Sequence, residues 1–153
     1  MGRKFIAVAF TAAGLMAGCA ESVAPIAQTP SGRPEANFVN KSPNHVSQAL
    51  ASRCLGRGLL VQEASTNRVK CGGQMAGGDA VMTQLLIGNS YSTTPEQYVQ
   101  FTLVPTSNGT RVQTQQWVET TMAFGQVQKL EVNSGQAFNS VQKALYDLGG
   151  RPI

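Results

Sequence analysis

The chain has 153 residues, 42% hydrophobic and 13% charged, with 16 Gly, 7 Pro, 3 Cys, 1 His and 1 Trp. That length suits one domain of ordinary size, and so low a charged fraction excludes a charge-rich disordered chain, a coiled coil and a nucleic-acid tail. No run of about 20 apolar residues lies beyond the N-terminus, so no internal membrane-spanning helix is expected.

The first residues carry Arg3 and Lys4, then the uncharged stretch Phe5 to Met16, then Ala17, Gly18 and Cys19. A basic start, a short apolar core and small residues before a cut are the parts of an export signal. Leu15-Met16-Ala17-Gly18-Cys19 resembles the lipobox of bacterial lipoproteins. The resemblance implies that residues 1–18 are a lipoprotein signal peptide and that Cys19 is the lipidation site. Cys19 would carry a covalent diacylglycerol and, on its freed amine, an acyl chain such as palmitate. More than one chain is needed because a single one holds only marginally to a bilayer. A plain secretory signal with a chance cysteine is the alternative. Ala20 follows Cys19, where the family's inner-membrane retention signal has Asp. Its absence implies anchoring at the outer membrane, with the domain in the periplasm. Cleavage would remove Arg3 and Lys4 and no acid, so the formal charge would fall from +4 to +2. Basicity then ceases to argue for an acidic partner.

Residues 19–41 hold Pro25, Pro30 and Pro34 and show neither a helical nor a strand period. They read as a lipidated, flexible tether, or else Phe38 and Val39 dock on the domain as an edge strand. The globular domain is placed at residues 42–150. Ser42 and Pro43 are a favoured N-cap and first helical residue, and Val46, Ala49, Leu50 and Cys54 share one helical face. Leu59 to Ala64 and Val69 to Gly72 read as a hairpin. Gln74 to Asp79 reads as a connection, Ala80 to Gly88 as a strand, and Asn89 to Glu96 as a polar loop. Gln97 to Pro105 and Arg111 to Met122 read as strands around the hairpin signal Asn108-Gly109. The segment at Gly125 to Gln128 is ambiguous. Asn133 and Ser134 offer a second cap, and Phe138, Val141, Leu145 and Leu148 form a second amphipathic face. The order predicts an α+β fold. It would be a two-layer sandwich, an antiparallel sheet of four or five strands with an N-terminal and a C-terminal helix on one face.

With Cys19 assigned to lipid, Cys54 and Cys71 remain, and an even remainder in an exported chain favours a disulfide. Two buried free thiols are the alternative. A zinc site is disfavoured because two Cys and His45 supply only three ligands without finger-like spacing, so no metal is expected. His45 lies in a first helical turn with no nucleophile signature beside it, so no catalytic residue is assigned. Glu63 and Glu119 are the pair of acids that a sheet might bring together. Gly72-Gly73 and Gly77-Gly78 lack a following Lys-Ser/Thr and read as connectors rather than a phosphate cradle.

Three surface features remain. Arg53, Arg57, Arg68 and Lys70 could form an anion patch facing headgroups or cell-wall polymer, or simply a solvated helix end and hairpin. Tyr98, Phe101 and Trp117 could line a groove between helix and sheet, or pack as core. Gln113, Gln115 and Gln116 suit the face of an edge strand able to accept a partner strand.

The helix–sheet–helix order on a lipidated tether resembles the small helix-grip or two-layer domains of periplasmic accessory lipoproteins, over residues 42–150. No motif carries that family's sites onto this chain. The expectation is a membrane-anchored, non-enzymatic protein-interaction module of the bacterial envelope, with an envelope protein as partner and neither nucleic acid nor metal. The alternative is binding or sensing of a lipid or cell-wall ligand in a helix–sheet groove.

Overall fold

The structure is a computed structural model, and it describes residues 23–75 and 92–153. The signal segment, Cys19, Gly77-Gly78 and the strand expected at residues 80–88 lie outside the described residues. Within them the chain is α+β. In chain order come β1 (Glu35–Val39), α1 (Pro43–Gly56), β2 (Leu60–Ala64), β3 (Arg68–Gln74), β4 (Glu96–Thr106), β5 (Gly109–Thr121), a short 3-10 turn (Ala123–Gly125), β6 (Val127–Glu131) and α2 (Gly135–Asp147).

Both helices begin as their sequences dictate. Ser42 and Ser134 are N-caps whose hydroxyls accept from the backbone N–H of His45 and Ala137, each satisfying one donor that the first turn leaves unpaired. All described strand pairs are antiparallel, in the order β1-β5-β4-β3-β2, with β6 also on β5. The four or five strands expected become six among the described residues. Two of them were not among the expected strands: β1 realises the alternative in which Phe38 and Val39 dock as an edge strand, and β6 begins in the segment left ambiguous. β1 falls inside the segment read as a tether through Lys41. Its pattern is masked because Glu35, a charged residue, is as buried as Ala36 and Phe38 beside it. β6 has no buried residue at all, so hydrophobic periodicity could not reveal it.

The rest of the expected tether also departs from a free linker. Asn139 of α2 receives the N–H of Ile26 on Oδ1 at 2.7 Å and donates to the Ala24 carbonyl at 2.9 Å. The Val23 carbonyl lies so close to Gly135 that a Cβ there would meet it at 1.7 Å. Residues 23–26 are therefore held on the start of α2.

β5 organises the sheet. One of its edges pairs with β4 along eleven residues, from Gly109 to Glu119. The other edge is divided, taking β1 at Gly109 to Gln113 and β6 at Trp117 to Thr121. Between them Thr114 N–H donates to the Pro34 carbonyl and Val132 N–H to the Gln116 carbonyl. The β4–β5 hairpin turns through Ser107 and Asn108, since Thr106 pairs with Gly109. Gly109 has φ +151°, and a Cβ there would sit 2.1 Å from the Phe38 carbonyl oxygen. Glycine is thus required by both conformation and space.

The core joins Ala36 and Phe38 of β1, Val46, Leu50 and Cys54 of α1, Val69 and Cys71 of β3, Phe101 and Leu103 of β4, Val112 of β5 and Leu145 of α2. Cys54 and Cys71 form a disulfide at a Cα separation of 6.3 Å, tying the end of α1 to β3. Closing a loop of this length stabilises by about 3 kcal/mol, chiefly by restricting the unfolded chain. Reduction, or the double change Cys54→Ser/Cys71→Ser, should lower the unfolding free energy by about that amount. Denaturant titration with and without reductant checks it; coincident transitions would refute it.

Glu35 is fully buried. Its Oε2 receives Arg111 Nη2 at 2.6 Å and its Oε1 receives Gln113 Nε2 at 3.2 Å. Burial pushes this carboxyl up, but hydrogen bonds from Ser31, Arg111 and Gln113 and the Arg111 charge outweigh it. The net result holds its pKa below the ordinary glutamate value. A pKa lower in the folded than in the unfolded state adds stability above the unfolded value, lost as pH falls through the folded one. The melting-temperature advantage of the native chain over Glu35→Gln should therefore be full at pH 7 and fade below about pH 4. A pH-independent difference would refute this account.

Candidate functional site

Cross-strand partners share a face of the sheet. The core residues Cys71, Val99, Phe101 and Val112 therefore lie on one face, and Lys70, Tyr98, Gln100, Gln113, Gln115, Trp117 and Glu119 on the other. This outward face is largely polar, with exposed Leu60, Val104 and Val127 on it, and it carries one aromatic pair. Tyr98 and Trp117 are directly opposed on β4 and β5, and their rings stack at 5.4 Å between centroids and 20° between planes. Lys70 Nζ lies 4.7 Å from the Tyr98 centroid, and Lys129 Nζ lies 4.0 Å from that of Trp117. Each cation is attracted to a ring face.

The stack ends in carboxylates. Trp117 Nε1 donates to Glu119 at 2.6 Å, and the Tyr98 hydroxyl donates to Glu96 in a short bond. That bond to Glu96, with burial, raises the Tyr98 pKa above its ordinary value. Glu96 and Glu119 face each other across the β4–β5 ladder, a like-charge pairing that is unfavourable by itself. Lys129, opposite Glu119 on β6, and the two aromatic donors offset it. The acid facing Glu119 is thus Glu96. Glu63, considered for that place, lies on the edge strand β2 with Arg68 Nη1 at 3.5 Å.

Gly72 and Gly73, read as a connector, are inside β3. The Tyr98 ring lies over Gly72, where a Cβ would come within 2.4 Å of it. Gly72→Ala should tilt Tyr98 off the lone Trp117, with a loss of about 1–3 kcal/mol from overpacking. Near-ultraviolet circular dichroism and Trp fluorescence would register the broken stack; unchanged spectra would count against this packing role.

A cavity of about 170 Å³ is lined by residues of α1, α2 and β4. Leu59, Val99, Phe101, Val141 and Ala144 supply apolar lining, and Arg53 and Arg57 stand beside them. Arg53 Nη2 donates to Asp147 at 3.2 Å. Its Nε is buried with no hydrogen-bond partner among the described residues.

The expected sites are therefore divided by the sheet. Of the groove aromatics Tyr98, Phe101 and Trp117, Phe101 and Tyr98 both line the cavity and Phe101 joins the core cluster, while Trp117 is buried in its stack with Tyr98 on the outward face. The proposed patch divides likewise. Arg53 and Arg57 border the cavity, whereas Arg68 is paired with Glu63 and Lys70 covers the rings. Gln113, Gln115 and Gln116 do not lie on an edge, because β5 is interior to the sheet. Their amides hold neighbours instead, bonding Glu35, Glu131 and the Ala137 carbonyl. Among the described residues no group of three or more His, Cys, Asp or Glu could hold a metal ion, and no helix is long and apolar enough to cross a membrane.

One exposed feature was missed. Met122 N–H donates to the Gln126 carbonyl at 2.7 Å and Gly125 N–H to the Met122 carbonyl at 3.1 Å, closing the tip of the β5–β6 hairpin. Phe124 stands at that tip with φ +71° and is fully exposed, at 104%. No periodic signal marks a lone aromatic in a turn. Comparison with known proteins returns no family model that matches the chain, and no curated protein or solved structure that matches it significantly.

Proposed function

We propose that this protein is a lipid-anchored accessory module of the bacterial envelope that works by protein–protein contact. In this reading residues 1–18 are removed, diacylglycerol and an acyl chain on Cys19 hold the chain to the outer membrane, and the domain works in the periplasm. It assigns no catalytic residue, metal or cofactor beyond the lipid. It also places both helices on one face of the sheet as a two-layer sandwich. That placement is supported by the one cluster in which Val46, Leu50, Cys54 and Leu145 meet.

The observation that carries the reading is Phe124. A non-glycine residue in the left-handed region costs of order 1–3 kcal/mol, and a fully exposed Phe buries no apolar surface in return. Such an anchor becomes favourable when a partner's pocket covers it, as aromatic hot spots do. A photo-crosslinking residue at position 124 of the full chain in intact cells should trap one reproducible envelope protein. Phe124→Gly should lose that partner while stabilising the isolated protein by up to about 1 kcal/mol, since glycine fits φ > 0. A tip that traps nothing above background would overturn the reading.

The cavity favours a second reading. Its apolar lining beside Arg53, whose buried Nε lacks a protein acceptor, suits the end of an apolar chain that carries an anionic head. Native mass spectrometry of the extracted protein would show such an amphiphile co-purifying, and its absence would remove this alternative.

A further inference from the structure

Among the described residues the sheet ends in three strands, β1, β2 and β6, and an open edge is a template for another strand. Two of the three are closed. The side-chain amide of buried Gln142 accepts from Glu35 N–H at 2.9 Å and donates to the Glu35 carbonyl at 2.7 Å. Two residues on, Asn37 exchanges both backbone bonds with Arg151. Side chain and C-terminal backbone thus occupy the outer edge of β1. β2 carries an irregularity between Val61 and Glu63, and a bulge twists an edge away from further pairing.

Among the described residues β6 has neither device. Its register against β5 runs unbroken from Val127 to Glu131. Met122 N–H to Gln126 and Val132 N–H to Gln116 show that the even-numbered residues bond toward β5. The alternation of an antiparallel ladder then turns the N–H and C=O groups of Val127, Lys129 and Glu131 outward. No hydrogen bond among the described residues reaches that side. Val127 is 59% exposed and Leu130 44%.

We infer that this edge pairs antiparallel with the same edge of a second copy of the chain. Charge discriminates among the registers, an axis at Gln128 setting Lys129 against the partner's Val127 without forming an ion pair. A two-fold axis at Lys129 would set lysine against lysine, and one at Glu131 would set acid against acid, both unfavourable. An axis at Leu130 sets Lys129 opposite the partner's Glu131, twice by symmetry, and Leu130 opposite the partner's Leu130. The outward-facing groups then meet in hydrogen-bonded pairs, and the leucines form a close non-hydrogen-bonded pair. Glu131 accepts Arg33 at 2.8 Å and Gln115 at 3.4 Å through Oε1 alone, so Oε2 is available to the partner's lysine. The contact is isologous and a form of strand addition. It is separate from the hairpin-tip partner and needs neither that partner nor the lipid anchor.

A single short edge buries less than the roughly 1,200–2,000 Å² of a stable complex, so the association is weak and covalent capture is the suitable probe. Cα atoms of a non-hydrogen-bonded pair lie about 4.5 Å apart, within disulfide reach. The full chain with Leu130→Cys, expressed in intact cells, should give a reductant-sensitive band at twice the monomer mass. The native chain, which shares Cys19, and Gln128→Cys should not. Lys129→Glu or Glu131→Lys added to Leu130→Cys should each lower that band about three- to tenfold, and the two together should restore it. Should Leu130→Cys fail to accumulate, carbodiimide coupling of the native chain should give a dimer joined through Lys129 and Glu131. A band at another mass, equal linkage from Gln128→Cys, no rescue by the double reversal, or no Lys129–Glu131 crosslink would overturn the inference. A negative result here leaves the capture at position 124 unaffected, and the reverse holds.

Discussion

The hydrogen-bond accounting of β5 is the constraint on which the molecule rests. Every interior strand must satisfy the N–H and C=O groups on both of its edges. β5 does so with β4 on one side and with two short strands, β1 and β6, on the other. That division sets the remaining geometry. β1 brings Ala36 and Phe38 into the core beside Val112 and Leu145, and β6 leaves it, extending the hairpin into solvent.

Around β5 the polar side chains act as structural parts. Gln142 stands in for a strand residue on β1, Gln113 and Arg111 hold the buried Glu35 carboxylate, and Gln116 bonds the first turn of α2. Burying a polar group is costly unless its bonds are made. Glu35 meets that condition through both its backbone and its side chain. The Gln- and Thr-rich composition that reads as surface chemistry is thus largely spent on joining elements.

The sheet separates two environments. One face holds the core and the cavity bounded by Arg53, Phe101 and Val141. The other presents a Tyr98–Trp117 stack covered by Lys70 and Lys129 and terminated by Glu96 and Glu119. Exposed apolar side chains are spread over the described surface, at Val23, Ile26, Leu55, Leu60, Val104 and Ile153 as well as on the β5–β6 hairpin, where Phe124 is fully exposed near Val127 and Leu130.

The linear chain by itself determined whatever depends on near neighbours. The serine caps, the apolar faces of Val46, Leu50 and Cys54 and of Phe138 and Leu145, the hairpin at Asn108, the cysteine pairing and the α+β class were all legible, because caps, turns and periodicity act within a few residues. What joins distant residues was decided only by the tertiary structure. The burial of Glu35 was hidden because its partners, Arg111, Gln113 and Gln142, lie far along the chain. The interior place of β5 was hidden because strand order leaves no local mark, and so a glutamine row that reads as an edge proved central. Sheet pleating put Arg68 and Lys70 on the face opposite Val69 and Cys71 and parted Phe101 from Trp117, while Arg53 and Arg57 at the end of α1 border the cavity. The edge of β6, unpaired among the described residues, is likewise a property of the assembled sheet, since an edge exists only once the other strands have taken their places.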